Sequence, residues 1–145
     1  MNTPMLAKIE GLSRELIALR ISREIPDGSY VNLGIGIPTL IGDWLDGRDV
    51  VLQSEIGMLK TGPLADEGFD QDLINASCQA VTEQPGSVFF DICDSFAMIR
   101  GGPIDITVMG AFQVTPHGDF ASWSNPARGL DGVGNIGAAQ TGRVA

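Results

Sequence analysis

Two stretches in the first half of the chain place apolar side chains at helical spacing. Leu12 to Ile25 alternates such residues with arginine and glutamate, which predicts a helix with Ser13 as its N-cap and Pro26-Asp27-Gly28 as its end. Thr39 to about Leu45 predicts a second, short helix, and Pro38 suits its first turn.

Four short apolar runs rich in β-branched or aromatic residues predict strands: Tyr30–Leu33, Val50–Gln53, Ser87–Phe90 and Ile104–Met109. Pro85-Gly86 predicts a turn before the third strand. Asp94 or Ser95 is expected to cap a short helix over Phe96–Arg100, which Gly101-Gly102 would end. Ala111 to Val114 continues the last strand or pairs beside it. This order of elements predicts an α/β domain with an open sheet.

A carboxylate directly follows the second strand. The run ends in Ser54, then Glu55, and Gly57 follows two residues later. Open α/β sheets place their sites at such strand ends. Glu55 therefore suits a nucleophile, a general base or a metal ligand, although local sequence alone favours the simpler role of capping a neighbouring helix.

A glycine turn follows the first strand. Gly34 and Gly36 could present backbone N–H groups to an anion or an oxyanion, and Asn32 could aim its amide into the same cleft. The segment is not a dinucleotide fingerprint, because Thr39 stands at the position of the third glycine. Taken alone, it predicts a tight turn.

Other reactive residues have simpler explanations. Cys93 beside Asp94, with His117 later, is compatible with a thiol nucleophile, but its apolar context favours a thiol in the core. Asp91 and Asp94 could bind a cation, whereas N-capping by Asp94 is the simpler account. His117 is typical of a turn residue. As the only histidine it excludes a His-rich metal site, and no Cys-x-x-Cys pair supports zinc.

Composition narrows the function classes. The 145 residues carry a net charge of −9 and have no basic stripe, which argues against binding nucleic acid or an anionic membrane surface. No apolar run approaches the ~20 residues that span a bilayer, and the N-terminus does not have the pattern of a signal peptide. Two widely spaced cysteines suit the reducing cytoplasm. The mean hydropathy of +0.14 hints at a subunit with a covered face.

Several motifs in register resemble the β subunit of family I coenzyme A (CoA) transferases of the 3-oxoacid type, such as acetoacetate, succinyl-CoA:3-oxoacid and 3-oxoadipate CoA-transferases. The resemblance runs from about Leu12 to Gly134 and rests on these segments in order: Tyr30–Pro38, Leu52–Gly57, Asp72–Ala76, Asp94–Gly102, Ile104-Asp105, Gly110–Val114 and Gly118–Trp123.

The resemblance implies a mostly parallel sheet flanked by helices, one domain over residues 1–145, and an α subunit as partner. It implies that Glu55 attacks an acyl-CoA thioester, so that CoA passes to a carboxylic acid through a glutamyl-CoA thioester. CoA would be a substrate, with no permanently bound cofactor and no metal. Asn32, Gly34, Gly36 and Ser54 would bind substrate or oxyanions.

Some positions depart from the family pattern. Ile56 stands where asparagine is frequent, and Ser77 and Cys78 replace a frequent Gly-Lys pair near the substrate. A late glycine loop would fall at residues 132–136, and the chain ends at Ala145, which predicts a C-terminally incomplete domain. These departures leave two alternatives, a non-catalytic partner subunit or a CoA-dependent hydrolase relative.

Overall fold

The computed structural model describes residues 11–66, 69–125, 129–130 and 143–144. Their main feature is a six-stranded sheet. Its strands are β1 (Tyr30–Leu33), β2 (Val51–Ser54), β3 (Met58–Leu64), β4 (Val81–Phe89), β5 (Ile106–Val108) and β10 (Arg143–Val144). They lie in the order β10-β5-β1-β2-β3-β4. The pairs β10–β5, β5–β1 and β1–β2 are parallel, whereas β3 runs antiparallel to both neighbours. The predicted open, mostly parallel sheet is confirmed.

Four short strands form two separate hairpins. β6 (Gln113–Val114) pairs with β7 (Phe120–Ala121), and β8 (Ser124–Asn125) pairs with β9 (Gly129–Leu130). The segment Ala111–Val114 therefore neither continues β5 nor pairs beside it, since its last two residues form β6 and pair with β7. His117 lies in the β6–β7 turn, as expected. The glycine loop expected at residues 132–136 lies outside the described residues.

Two helices lie before β2. The α-helix α1 (Arg14–Ser22) begins after Ser13, whose hydroxyl accepts a hydrogen bond from the N–H of Leu16, so the predicted N-cap is confirmed. A 3₁₀ helix (Ile37–Trp44) connects β1 to β2 and has Pro38 in its first turn, as predicted. Within the described residues, no helix is both long and apolar enough to cross a membrane.

One expectation about the middle of the chain is wrong, because Pro85-Gly86 lies inside β4 rather than in a turn before it. The strand β3, which follows Glu55, was not predicted. The pairing of β3 with β4 shifts register twice, and β4 is the last strand of the sheet. Proline is tolerated there because an edge position or an irregularity does not need its missing N–H.

The second α-helix, α2 (Ile92–Gly101), begins earlier than predicted. Asp91 is its N-cap, and one carboxylate oxygen accepts hydrogen bonds from the N–H groups of Cys93 and Asp94 at 2.7 and 3.0 Å. The expectation that Asp94 or Ser95 caps the helix is therefore wrong. The predicted end is confirmed, because Gly102 adopts a left-handed conformation with φ of 103°.

We expect Asp91→Ala to lower the free energy of unfolding by about 1–2 kcal/mol, because two N–H groups lose their acceptor. Asp94→Ala is the matched control, and it should cost only about 0.3–1 kcal/mol because it removes a charge near the helix N-terminus. Urea unfolding of both variants measures the difference. An equal or larger loss in Asp94→Ala would contradict this assignment of the cap.

The two faces of the sheet are covered differently. α1 and the 3₁₀ helix pack on one face, where Ala18, Ile25 and Ile41 meet Val31 and Val108. A smaller apolar cluster around Ile99 and Ile104 forms between α2 and the chain leading into β5. Because side chains alternate along a strand, Asn32 points away from the face that buries Val31.

Candidate active site

The carboxyl ends of β1, β2 and β5 lie at one edge of the sheet, because the three strands are parallel neighbours. This edge carries the Gly34-x-Gly36 turn after β1 and Glu55 after β2. Glu55 is half-buried at this edge. The structure thus places the predicted nucleophile where open α/β sheets form their sites.

Gly57 fixes the turn that presents Glu55. Its N–H donates to the carbonyl of Ser54 at 3.1 Å, and its own carbonyl accepts from the N–H of Phe90 at 3.0 Å. A Cβ built on Gly57 would stand 2.1 Å from the carbonyl oxygen of Phe90, and its φ is 117°. Only glycine fits this conformation and this approach, so the turn bearing Glu55 is anchored to the end of β4.

A buried chain of hydrogen bonds lies beneath the same turn. The Asn32 amide donates to Gln53 Oε1 at 2.6 Å, and Gln53 Nε2 donates to Ser95 Oγ at 2.7 Å. Ser95 Oγ in turn lies 3.5 Å from the carbonyl oxygen of Ser54. All four residues are at most 5% exposed. This polar network ties β1, β2 and α2 together directly before Glu55.

Ser95→Ala should lower the free energy of unfolding by about 1–3 kcal/mol, because the buried amide N–H of Gln53 loses its acceptor. The matched control is Ser124→Ala at an exposed serine, where we expect a change within about 0.5 kcal/mol. Chemical denaturation of both variants provides the comparison. Equal stability of Ser95→Ala and the parent chain would show that the network contributes nothing to folding.

Three of the other predicted binding residues, Asn32, Gly34 and Gly36, have donors engaged within the chain, whereas Ser54 Oγ has no partner among the described residues. Asn32 donates into the buried network, and the N–H of Gly34 donates to the carbonyl of Val108 at 2.9 Å, which extends the β1–β5 pairing. The N–H of Gly36 donates to Ser77 Oγ at 3.1 Å. Oxyanion binding by these groups stays a prediction, and each would have to exchange its present acceptor for a substrate oxygen.

Ser77 belongs to a short loop packed against the glycine turn. Asn75 Oδ1 accepts from the N–H groups of Ser77 and Gln79, which holds the loop. Ser77 Oγ also lies 3.3 Å from the hydroxyl of Thr39, at the start of the 3₁₀ helix. Cys78, the second departure from the family pattern, is exposed and has a positive φ of 58°.

A small cleft lies between the 3₁₀ helix and the strands β2 and β3, and we call it the β2–β3 cleft. Its lining includes Ser54, the residue directly before Glu55, together with Thr61 and Asp43. Partial desolvation raises the pKa of Asp43 above its ordinary value.

The remaining candidates for chemistry lie elsewhere. Cys93 is exposed on α2, so the expectation of a core thiol is wrong. Asp91 serves as a helix cap, and His117 lies in the β6–β7 hairpin turn. No group of three or more His, Cys, Asp or Glu side chains able to hold a metal ion occurs in the part of the chain that the structure describes.

Sequence reasoning missed Gln53, Ser95 and Thr61. Gln53 left a usable signal, because a polar residue inside an apolar strand must find a buried partner. Ser95 was considered only as a helix cap, although its hydroxyl is fully buried and accepts from Gln53. No sequence pattern indicated a role for Thr61, because its position in the cleft depends on β3, a strand that the sequence did not predict.

Comparisons with known proteins show the family of the chain. The family model for coenzyme A transferase matches residues 14–139. The β subunit of succinyl-CoA:3-ketoacid coenzyme A transferase from Helicobacter pylori is 47% identical over 122 residues, which cover 83% of this chain and 59% of that protein. The β subunit of 3-oxoadipate CoA-transferase from Pseudomonas putida is 48% identical over 133 residues, which cover 90% and 62%. The chain thus spans about 60% of the length of these relatives.

Solved structures share the fold at low identity. The acyl-CoA transferase YdiF of Escherichia coli O157:H7 superimposes with a TM-score of 0.67 at 20% identity, covering 97% of this chain and 25% of that one. The decarboxylase AibA/AibB gives a TM-score of 0.63 at 20% identity, covering 90% and 56%. These likenesses support the architecture alone. The family-model match over most of the chain carries the assignment, and the chain belongs to the coenzyme A transferase family.

Proposed function

We propose that this chain provides the β-subunit part of a CoA-transferase, in which Glu55 is the nucleophile. The observation that carries the proposal is the position of the half-buried residue Glu55 at the carboxyl end of β2, on a turn anchored through Gly57. The named relatives are β subunits of enzymes that act on succinyl-CoA and 3-ketoacids or on 3-oxoadipate. An acyl-CoA and a carboxylic acid of the 3-oxoacid type are the corresponding substrates here.

In the proposed reaction a carboxylate oxygen of Glu55 attacks the thioester carbon of acyl-CoA. The C–S bond breaks, CoA leaves as a thiolate, and a mixed anhydride joins the acyl group to Glu55. The thiolate then attacks the side-chain carbonyl carbon of Glu55, which releases the original acid as a carboxylate and leaves a glutamyl-CoA thioester. The acceptor carboxylate takes CoA by the reverse steps. Covalent catalysis thus divides one difficult exchange into easier ones.

We infer that an α subunit completes the site and that the protein works in the cytoplasm. The relatives are named as one of two kinds of subunit, which supports the partner. The two cysteines, both free and exposed, support a reducing compartment. CoA enters as a substrate rather than as a resident cofactor.

A non-catalytic partner subunit is the second candidate. It is favoured by the observation that the predicted donors of Asn32, Gly34 and Gly36 already bond to atoms of the chain. If those bonds persist in the assembled protein, no oxyanion is stabilised by them. This candidate keeps the fold and the contact with an α subunit while Glu55 does not react.

Trapping of the covalent intermediate separates these functions. The full chain is incubated with acetoacetyl-CoA or succinyl-CoA, alone and with a CoA-transferase α subunit, and its intact mass is measured. An adduct of CoA mass on Glu55 supports the transferase, and an adduct that needs the α subunit supports a shared site. Folded protein without an adduct under either condition would support the non-catalytic candidate. Release of CoA without any acceptor acid would indicate the hydrolase alternative.

A further inference from the structure

The three engaged donors that were predicted to bind oxyanions differ in what holds them. The Asn32 amide donates into the buried polar network, and Asn32 is 1% exposed. The N–H of Gly34 donates to the backbone carbonyl of Val108, where it extends the β1–β5 pairing. The N–H of Gly36 donates to Ser77 Oγ, and both residues are half-buried. Of the three, only the donor of Gly36 is released by rotating one side chain, without opening the core or the sheet.

Ser77 is held against this donor by the loop that carries it. The N–H groups of Ser77 and Gln79 donate to Asn75 Oδ1 at 2.9 and 3.1 Å, so the loop has bonds that do not involve the Ser77 hydroxyl. Thr39 Oγ1 donates to the carbonyl oxygen of Gly36 at 2.7 Å. Because that donation uses the Thr39 proton, the Ser77 hydroxyl is the donor in the 3.3 Å contact between the two side chains. Ser77 Oγ thus accepts from Gly36 and donates to Thr39.

An open groove lies beside this contact. It has a volume of about 360 Å³, and Gly36, Thr39 and Ser77 are among the residues that line it. Rotation of Ser77 about Cα–Cβ can carry its hydroxyl into contact with water in this groove. The rotation leaves the Gly36 N–H free to bind another acceptor. Its cost is therefore that of one neutral hydrogen bond, rather than that of a buried group left unpaired.

An oxyanion and Ser77 Oγ compete for the same place. A good acceptor stands about 2.7–3.2 Å from an amide nitrogen, and Ser77 Oγ already stands 3.1 Å from that of Gly36. In the proposed reaction the oxyanion forms only when the carboxylate or the thiolate attacks, and the bound thioester does not yet carry it. The Ser77 contact would therefore be broken during the chemical step, so its free energy adds to the barrier and not to the binding of substrate.

Resting on the proposed function, we propose that the Ser77 hydroxyl is autoinhibitory: it occupies the Gly36 donor in the resting protein and rotates away before that donor stabilises an oxyanion. Ser77 acts through Gly36 and does not touch the reacting atoms. The same contact satisfies a half-buried N–H, so it stabilises the resting turn while it slows turnover. A serine with a purely structural role would stabilise the turn without slowing the reaction.

Removal of the hydroxyl should change stability and turnover in opposite directions. Ser77→Ala should raise kcat by about 3- to 10-fold, the range for one neutral hydrogen bond, with KM changed by less than about twofold. Its urea midpoint should fall, because the Gly36 N–H loses its acceptor in the protein. Ser77→Thr keeps a hydroxyl and should restore the parental kcat. Rates are measured on the full chain with a CoA-transferase α subunit, acetoacetyl-CoA and succinate.

Ser87→Ala is the matched control for the kinetic test. Ser87 is also half-buried, and its Oγ accepts from the N–H of Gln84 at 2.9 Å within β4. Ser87→Ala therefore removes a comparable acceptor at a serine that does not contact the glycine turn, and its kcat should stay parental. An equal rise of kcat in Ser87→Ala would overturn the proposal.

Amide hydrogen exchange tests the contact without relying on activity. In the isotope-labelled full chain, followed by nuclear magnetic resonance, the Gly36 amide should exchange about 3- to 10-fold faster in Ser77→Ala than in the parent chain. The Gly34 amide is the internal control, because its acceptor is the backbone carbonyl of Val108 and its rate should stay parental. Equal rates for the Gly36 amide in both proteins would overturn the proposal.

The two measurements separate this proposal from the proposed function. Parental CoA transfer together with an unchanged or lower kcat in Ser77→Ala would refute the inhibitory role and leave the transferase intact. Faster hydrogen exchange of the Gly36 amide, without CoA transfer by the parent or by Ser77→Ala, would refute the transferase. The contact would then hold the turn without restraining any reaction, which refutes the inhibitory role as well.

Discussion

Replacement of Glu55 by glutamine or alanine is expected to abolish CoA exchange, with a fall of at least about 10⁴-fold, since no other group can form the covalent intermediate. Glutamine keeps the size of the side chain but removes the nucleophilic carboxylate. Glu55 lies in a turn whose described bonds are made by backbone groups of Ser54, Gly57 and Phe90. The circular dichroism spectrum and the urea midpoint should therefore stay close to those of the parent chain.

Glu83→Gln is the matched control for this prediction. Glu83 lies exposed on β4, where it pairs with Thr61 of β3. Glu83→Gln therefore removes one negative charge, as Glu55→Gln does, but at a residue away from the sheet edge that carries Glu55. Exchange rates are measured with acetoacetyl-CoA and succinate in the presence of a CoA-transferase α subunit. Turnover of Glu55→Gln at the parental rate would show that the carboxylate takes no part in the chemistry.

The architecture was predictable because its local signals agree with one another. The apolar run Tyr30–Leu33 matches β1 residue for residue, and Ser13 and Gly102 cap the helices as their types suggest. The strand that ends at Ser54 was predicted to within a residue. Such signals depend on backbone preferences that act over a few residues. Here the tertiary contacts favour the same conformations as these local preferences.

The errors arise where tertiary contacts decide between local alternatives. Asp91 and Asp94 are both good capping residues, and only the extended backbone of Asp91, with ψ of 166°, makes it the cap. The same shift of the helix start explains the error at Cys93. The helix buries Ser95 and Ile99, and Cys93 lies outside that face despite its apolar neighbours.

The candidate site was predictable in one part only. Glu55 could be placed at a sheet edge from the strand before it, because the end of a buried strand has a defined location in this fold class. The partners of Asn32, Gly34 and Gly36 could not be predicted, since Val108 and Ser77 are distant in sequence. Hydrogen-bond donors cannot be assigned to a ligand until their acceptors within the fold are known.

Gly57→Ala is expected to be the most damaging single-methyl substitution near Glu55. The added Cβ would stand 2.1 Å from the carbonyl oxygen of Phe90, a backbone atom that cannot move without displacing the end of β4. The φ of 117° adds strain for any residue with a side chain. We expect a loss of about 3–5 kcal/mol in the free energy of unfolding, and CoA exchange should fall with it because the turn that positions Glu55 must move.

Gly102→Ala separates the two causes of this loss. Gly102 has a similar φ of 103°, but nothing lies within 4 Å of its added Cβ. Gly102→Ala should therefore lower the free energy of unfolding by only about 1–2 kcal/mol, through backbone strain. The folded fraction of this variant should still exchange CoA. Urea unfolding and exchange assays on both variants measure the contrast. Equal losses of stability would mean that strain alone makes glycine necessary at residue 57. A larger loss in Gly57→Ala, with exchange lost even in the folded fraction, would establish that the contact with Phe90 holds the nucleophile in place.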